Sequence, residues 1–235
     1  MKIIAIDSSG LVATVAVLED DSMTAEYTVN YKKTHSQTLL PMLQDVAGMI
    51  ELDLNTVDAI AVAAGPGSFT GLRIGSATAK GLGLALDKPV IAVPTVDALS
   101  FNLWGTDRVI CPIMDARRNQ VYTGLYEFVN DEHKIIMEQI PMDIAELMGE
   151  INKLGREVIF LGDGVPVYKE KIEELATVPI TFAPPHMSRQ RAGAVGALAF
   201  KYYSEGKVES AADHKPDYLR LSQAERERQE MNANG

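Results

Sequence analysis

Two short apolar runs each stop at an aspartate: residues 3–6 before Asp7, and residues 109–114 before Asp115. The same order of elements follows each, and no other feature restricts the fold as much. After Asp7 come strand-length runs at 13–18 and 25–31, joined by links short enough for antiparallel neighbours. A helix is expected next. Thr34 stands at its N-cap place with Gln37 three residues on, a capping-box pattern, and Leu39, Leu40, Leu43, Val46, Ala47 and Ile50 recur at helical spacing. Pro41 falls late for a first-turn proline and predicts a bend. The apolar run 59–64, fed by that helix, reads as a buried parallel strand. A glycine-rich loop then opens a helix that ends near Leu86, and Pro89 and Pro94 bracket a strand over 90–93. The second half repeats this order: strands over 109–114, 120–129 and 134–139, a helix over 143–154 with Asp143 as cap and Gly155 as stop, a strand over 157–161, and a helix over 166–176. A last helix, rich in small residues, is expected over 188–204.

Two such halves back to back are the layout of a duplicated actin-like (ASKHA, ribonuclease H-like) α/β fold. It has two lobes, each a mixed five-stranded sheet with helices. The chain divides accordingly into lobes 1–107 and 108–221 and a charged tail, 222–235, read as disordered. Ligands of open α/β sheets sit beyond the carboxyl ends of the strands. That rule brings Asp7, Ser8, Ser9, Gly65, Gly67, Ser68, Asp115, Gly162 and Gly164 to one cleft as candidate nucleotide loops, working or vestigial.

Charge and cysteine content narrow the function. The formal net charge is −10 over 235 residues, so the chain repels phosphate backbones and unaided nucleic-acid binding is not expected. Cys111, the single cysteine, lies in an apolar run and reads as a buried small hydrophobe. No apolar run approaches the roughly 18 residues of a membrane span, and the apolar run at the N-terminus is too short for a signal peptide. A cytoplasmic chain without membrane contact is expected.

The stretch "AVAAGPGSFTGLRIGSATAKGLGLALDKP" admits two readings. Glycines where a strand turns into a helix can bind anions through free N–H groups and the helix dipole. Yet no lysine stands where a P-loop needs one, and Gly65, Gly67 and Gly71 are one residue too long for the dinucleotide pattern. Alternatively, Gly71, Gly75, Ala79 and Gly83 recur one turn apart and form a stripe with almost no side chain. Each helical glycine costs roughly 1 kcal/mol relative to alanine, so close packing must support the helix. That packing is against the chain's own first helix or against another subunit.

Catalytic groups are sparse. The four histidines, His35, His133, His186 and His214, include no His-x-x-x-His pair, and no G-x-S-x-G elbow occurs. His35 reads as a solvated first-turn residue. Asp7 and Asp115 either cap turns or hold a metal–nucleotide. Arg117 and Arg118 pair with aspartate or serve an interface. No complete nucleophile–base pair is legible.

The segments "IIAIDSSG", the glycine stretch continued through "VIAVPTVDAL", "MDARRNQVYTGLYE" and "PDYLR" resemble the TsaB (YeaZ) family, from residue 1 to about 220. The resemblance implies the two-lobed fold read above. It also implies a non-catalytic subunit that partners the catalytic paralogue TsaD and the ATPase TsaE. That complex transfers threonylcarbamoyl to N6 of adenosine 37 in tRNAs reading ANN codons. The subunit would pair with itself or with TsaD, with tRNA met only indirectly. ATP or ADP would bind at the complex interface and none tightly in this chain. Thr95 and Leu99 stand where the paralogue carries its metal-binding histidine pair, which argues against metal-dependent transfer here. Ser36, Leu39, Leu40, Leu43, Gly71, Arg73, Gly75 and Ala79 are expected at the shared homodimer and heterodimer surface. The competing class is a nucleotide phosphohydrolase using Asp7 and Asp115 with magnesium; a metalloprotease fits least.

Overall fold

The structure, a computed structural model, describes residues 1–20, 22–31 and 33–219. The first half forms β1 (Lys2–Asp7), β2 (Ala13–Glu19), β3 (Ser22–Val29), α1 (His35–Met49), β4 (Ala59–Gly65), α2 (Phe69–Leu86), β5 (Val90–Pro94) and α3 (Thr95–Phe101). The second forms β6 (Val109–Asp115), β7 (Gln120–Val129), β8 (Glu132–Asp143), α4 (Ile144–Leu154), β9 (Val158–Leu161), α5 (Val165–Leu175), β10 (Ile180–Phe182) and α6 (Ala192–Ser204). The two sheets have the orders β3-β2-β1-β4-β5 and β8-β7-β6-β9-β10, which correspond strand for strand. In each, the first three strands are antiparallel and the last two run parallel to the first. The duplication read from the two aspartates is therefore the architecture.

Alternating residues sort the first sheet's faces. Ile4, Ile6, Val15 and Val17 pack under α1 and α2, against Leu39, Met42, Leu43, Val46 and Ala79. Ile3, Ala5, Ala16 and Leu18 face the other way, against Ala192, Val195, Leu198 and Ala199 of α6. The second sheet packs α4 and α5 on one face through Leu147, Ile151 and Ile172. Its other face meets Val96, Leu99 and Leu103, on or just after α3. Each half thus lends its last helix to the other: α3 covers sheet two and α6 covers sheet one. A division at 107/108 follows chain order but not packing, because α6 completes the first lobe. So does the segment after it, where Val90 and Glu209 exchange backbone hydrogen bonds (2.9 Å each).

A buried polar knot sits where the lobes meet. Asp97 on α3 accepts from Tyr126 Oη (2.7 Å) on β7 and Tyr202 Oη (3.2 Å) on α6. His133 on β8 stacks on Tyr126 at 5.1 Å and shares a 2.7 Å hydrogen bond with Ser100 Oγ. Burial raises the Asp97 pKa and lowers that of His133 to about 4.

Several element readings need correction. Strand β3 begins and ends earlier than 25–31, and β8 runs on at both ends beyond 134–139. Helix α6 starts at Ala192 rather than 188: Ser188 and Arg189 form a bend, and Arg191, the N-cap, is extended. Two elements lack a sequence signal: β10 has three residues, and α3 follows Pro94 directly with no cap hydrogen bond. Thr34 is the α1 N-cap by position, but its side chain makes no cap bond; the capping box does not form. The tail 222–235 lies outside the described residues.

Candidate functional site

The cleft loops of lobe one are packed against each other. Ser8 Oγ donates to Gly71 O (2.9 Å), and Ser68 N donates to Ser9 O (2.6 Å). A Cβ at Gly67 would overlap Ser9 O, one at Gly71 would overlap Ser8 O, and one at Gly75 would lie 2.6 Å from Ser8 Oγ. The glycine stripe therefore serves the approach of α2 to the β1–β2 turn of its own chain. Gly83 meets Ala211, 2.7 Å from its would-be Cβ, and Ala79 is fully buried over the sheet. The nearest atoms to the stripe's glycines come from the β1–β2 turn and the C-terminal segment of the same chain, and Ala79 shares a buried cluster with α1.

That geometry corrects the interface set. Leu39, Leu43, Gly71, Gly75 and Ala79 face inward and are buried. Only Ser36, Leu40 and Arg73 of the eight are exposed, with Leu40 at 55%. They share the outer surface of α1 and α2 with Thr70, Ala77, Gly81 and Leu84.

The anion-cradle reading can be tested on the donors. Ser68 caps α2 by accepting from Gly71 N (3.3 Å), while Leu72 N goes to Ser68 O (2.8 Å). The Gln190 side chain lies on Gly10, where a Cβ would come 2.8 Å from Nε2. Gln190 is 1% exposed, and its amide atoms are buried without a partner among the described residues. His35 is no solvated residue: it is half-buried, with Nε2 2.8 Å from Gly10 O. Gly65, at φ +136°, is pressed against Asp217, whose N–H donates to Ala64 O (2.7 Å). The turn is thus packed by Gln190 and by the Asp217 segment of its own chain.

The acidic groups converge as the fold predicts. Asp7 is 1% exposed and accepts from Ser9 N (2.8 Å). Burial pushes its pKa up to about 6; the Ser9 hydrogen bonds and His35 oppose that, and Asp163 reinforces it. Asp163 is raised by burial and, more weakly, by Asp115. Its carboxylate accepts from Asp115 N (3.1 Å). The loops of the two lobes thus face each other across the cleft. Gly162 (φ +109°) and Gly164 let the β9–α5 loop ride on Ile113 O, to which Gly164 N donates at 3.0 Å. Among the described residues, no group of three or more His, Cys, Asp or Glu side chains is placed to hold a metal ion. Thr95 and Leu99 are both buried on α3.

Asp115 is exposed and holds the β6–β7 turn, accepting from Arg117 N (2.8 Å) and Tyr168 Oη (3.1 Å). Arg117, Arg118 and Asn119 are consecutive residues at φ +62°, +57° and +61°. The left-handed region costs a residue with a Cβ roughly 1–2 kcal/mol. Among the described residues, neither guanidinium pairs with aspartate.

One constellation escaped the sequence. Ser76 Oγ lies 2.8 Å from His214 Nε2, and His214 Nδ1 lies 2.6 Å from Glu209 Oε1. The order is that of a hydrolase triad, but Ser76 is mid-helix, and Ser76 and His214 are 4% and 1% exposed. The chain of bonds fastens a C-terminal strap, residues 205–218, along α2. Lys80 Nζ adds bonds to Ala212 O (2.7 Å) and His214 O (3.1 Å), and Tyr218 stacks on Phe69 at 4.1 Å. Only their separation of 138 residues hides Ser76 and His214 from each other in the sequence.

Fold and cleft together define a duplicated actin-like protein in which Gln190 covers the β1–β2 turn. Residues 23–228 match the family described as TsaD, tRNA N6-adenosine threonylcarbamoyltransferase. The chain is 37% identical to the tRNA threonylcarbamoyladenosine biosynthesis protein TsaB of Bacillus subtilis, over 96% of both chains. It is 30% identical to TsaB of Escherichia coli, over 94% of this chain and 95% of that one. YeaZ from Pseudomonas aeruginosa superposes with a TM-score of 0.76 at 26% identity, covering 93% of this chain and 99% of its own. The chain belongs to the TsaB (YeaZ) family, in the tRNA threonylcarbamoyladenosine pathway. No described helix is long and apolar enough to cross a membrane.

Proposed function

We propose that this chain is a non-catalytic activating subunit. It binds a TsaD-type paralogue in the cytoplasm and, with TsaE assisting, supports threonylcarbamoyl transfer to N6 of adenosine 37 in tRNAs reading ANN codons. The observation that supports the reading is the buried Gln190 side chain seated on Gly10 of the β1–β2 turn. The outer surface of α1 and α2, with Ser36, Leu40 and Arg73, is the surface that meets either the paralogue or a second copy. ATP or ADP binds at the interface of the complex and not in this chain's cleft. With a net charge of −10, the chain leaves most of the tRNA contact to its partners. The sealed Ser76 hydroxyl supports a fastening role rather than peptidase chemistry.

The test is tRNA modification in vitro, with paralogue, ATPase, threonylcarbamoyl-adenylate and unmodified tRNA, with and without this chain. Modification that requires the chain and survives Asp7→Ala and Asp115→Ala supports an activating subunit. Loss of activity in folded, partner-binding aspartate variants would favour the magnesium phosphohydrolase instead. Full modification without the chain would refute both.

A further inference from the structure

Five of the described arginines are engaged within the chain. Arg73 lies over Phe69, Arg108 pairs with Glu157, Arg156 with Glu127 and Arg191 with Glu26, and Arg189 donates to Gly162 O. Arg117 and Arg118 are the exceptions among the described residues: both are exposed and neither has an ion pair. This occurs in a chain with 32 acidic and 22 basic residues, where a free guanidinium readily finds a carboxylate. The nearest acid, Asp115, is turned to the backbone of the same turn.

The turn that carries them is held in an unfavourable shape. Three successive non-glycine residues sit in the left-handed region. Ala116 N to Gln120 O (2.9 Å), Gln120 N to Arg117 O (3.1 Å) and Ile144 N to Asn119 O (3.0 Å) lock the turn from both sides. Glycine at either arginine position would meet the same backbone demand without strain. Strain that persists under such restraint points to function, and what the strain secures here is two adjacent guanidinia on a rigid mount.

We infer that the Arg117–Arg118 turn is a preorganised anchor for the carboxylates of a protein partner. Guanidinium forks match carboxylates two-pronged, and arginine is favoured at interface hot spots. An extended polyanion such as RNA is the poorer match, because Asp115 and Asp163 flank the turn and the whole chain is acidic. A discrete acidic spot on a protein avoids that repulsion. The inference rests on the partner-binding function proposed above.

The experiment titrates labelled chain against the purified paralogue, alone and with the ATPase, at low and moderate salt. Arg117→Ala/Arg118→Ala is expected to weaken binding at least tenfold and to flatten its salt dependence. Arg117→Lys/Arg118→Lys keeps the charge but loses the fork, and falls between. Arg118→Gly is expected to melt at or above the wild-type temperature while still binding more weakly, which separates recognition from folding. Wild-type affinity in the alanine pair would overturn the inference and leave the proposed function standing. Failure of the wild-type chain itself to bind would overturn both. Unchanged partner affinity with weakened tRNA binding by the assembled complex would assign the turn to RNA and overturn the carboxylate reading.

Discussion

Replacing Asp7 by asparagine should stabilise the isolated chain at neutral pH. The carboxylate is buried, and burial raises its pKa from 3.8 to about 6. The folded state therefore holds a proton more tightly than the unfolded state does. Stability falls as pH rises from about 4 to 6, and the full penalty applies above that. A shift of this size corresponds to about 3 kcal/mol at 1.36 kcal/mol per unit. Asparagine keeps an oxygen to accept from Ser9 N and carries no charge, so Asp7→Asn should recover up to about 3 kcal/mol at pH 7.5. At pH 4 the gain should vanish, because Asp7 is then already neutral in the folded state. Urea unfolding of both proteins at the two pH values gives the comparison, with titrating groups not coupled to Asp7 cancelling in the difference. A variant less stable than wild type at pH 7.5, or a difference independent of pH, would refute the reasoning. A confirmed gain would mean that this chain keeps a charged aspartate at a cost to its own stability.

Gly75→Leu should unfold the chain more easily, by several kcal/mol in urea, because the new side chain collides with Ser8 beneath α2; an unchanged midpoint would contradict the inward-facing stripe. Leu40→Glu leaves the fold intact and should weaken association with a second copy or the paralogue, read by analytical ultracentrifugation. Ser76→Ala leaves His214 Nε2 buried and unpaired, at about 1–3 kcal/mol, and should speed proteolysis within 205–218. His133, depressed to about 4 by burial, should titrate near that value by NMR. Its linkage opposes that of Asp7: stability is lost as pH falls from 6.5 towards 4, and His133→Gln should remove that pH dependence in urea unfolding.

What the sequence disclosed, and what it hid, follows from the range of the interactions involved. The duplicated strand–helix order was legible because each element is encoded by local periodicity ending at Asp7 or Asp115. The glycine stripe was legible as a demand for close approach, but its target was not: Ser8 lies some 60 residues away, and helical spacing does not say which face turns inward. The same ambiguity placed Leu39 and Leu43 at an interface rather than in the core. Helix α3 was hidden because Pro94 interrupts the pattern just before it. Gln190 on Gly10 and the Ser76–His214 bond join segments more than 130 residues apart, which no window along the chain can show.

The reciprocal exchange of final helices has a consequence for synthesis on the ribosome. One face of the first sheet lacks its cover until residues 192–204 emerge, well after the sheet itself has been translated. The strap that seals α2 arrives later still. The N-terminal lobe must therefore wait with Ile3, Ala5, Ala16 and Leu18 open on one side, a state prone to premature association. Truncation before Ala192 should yield not a smaller folded domain but an unfinished one.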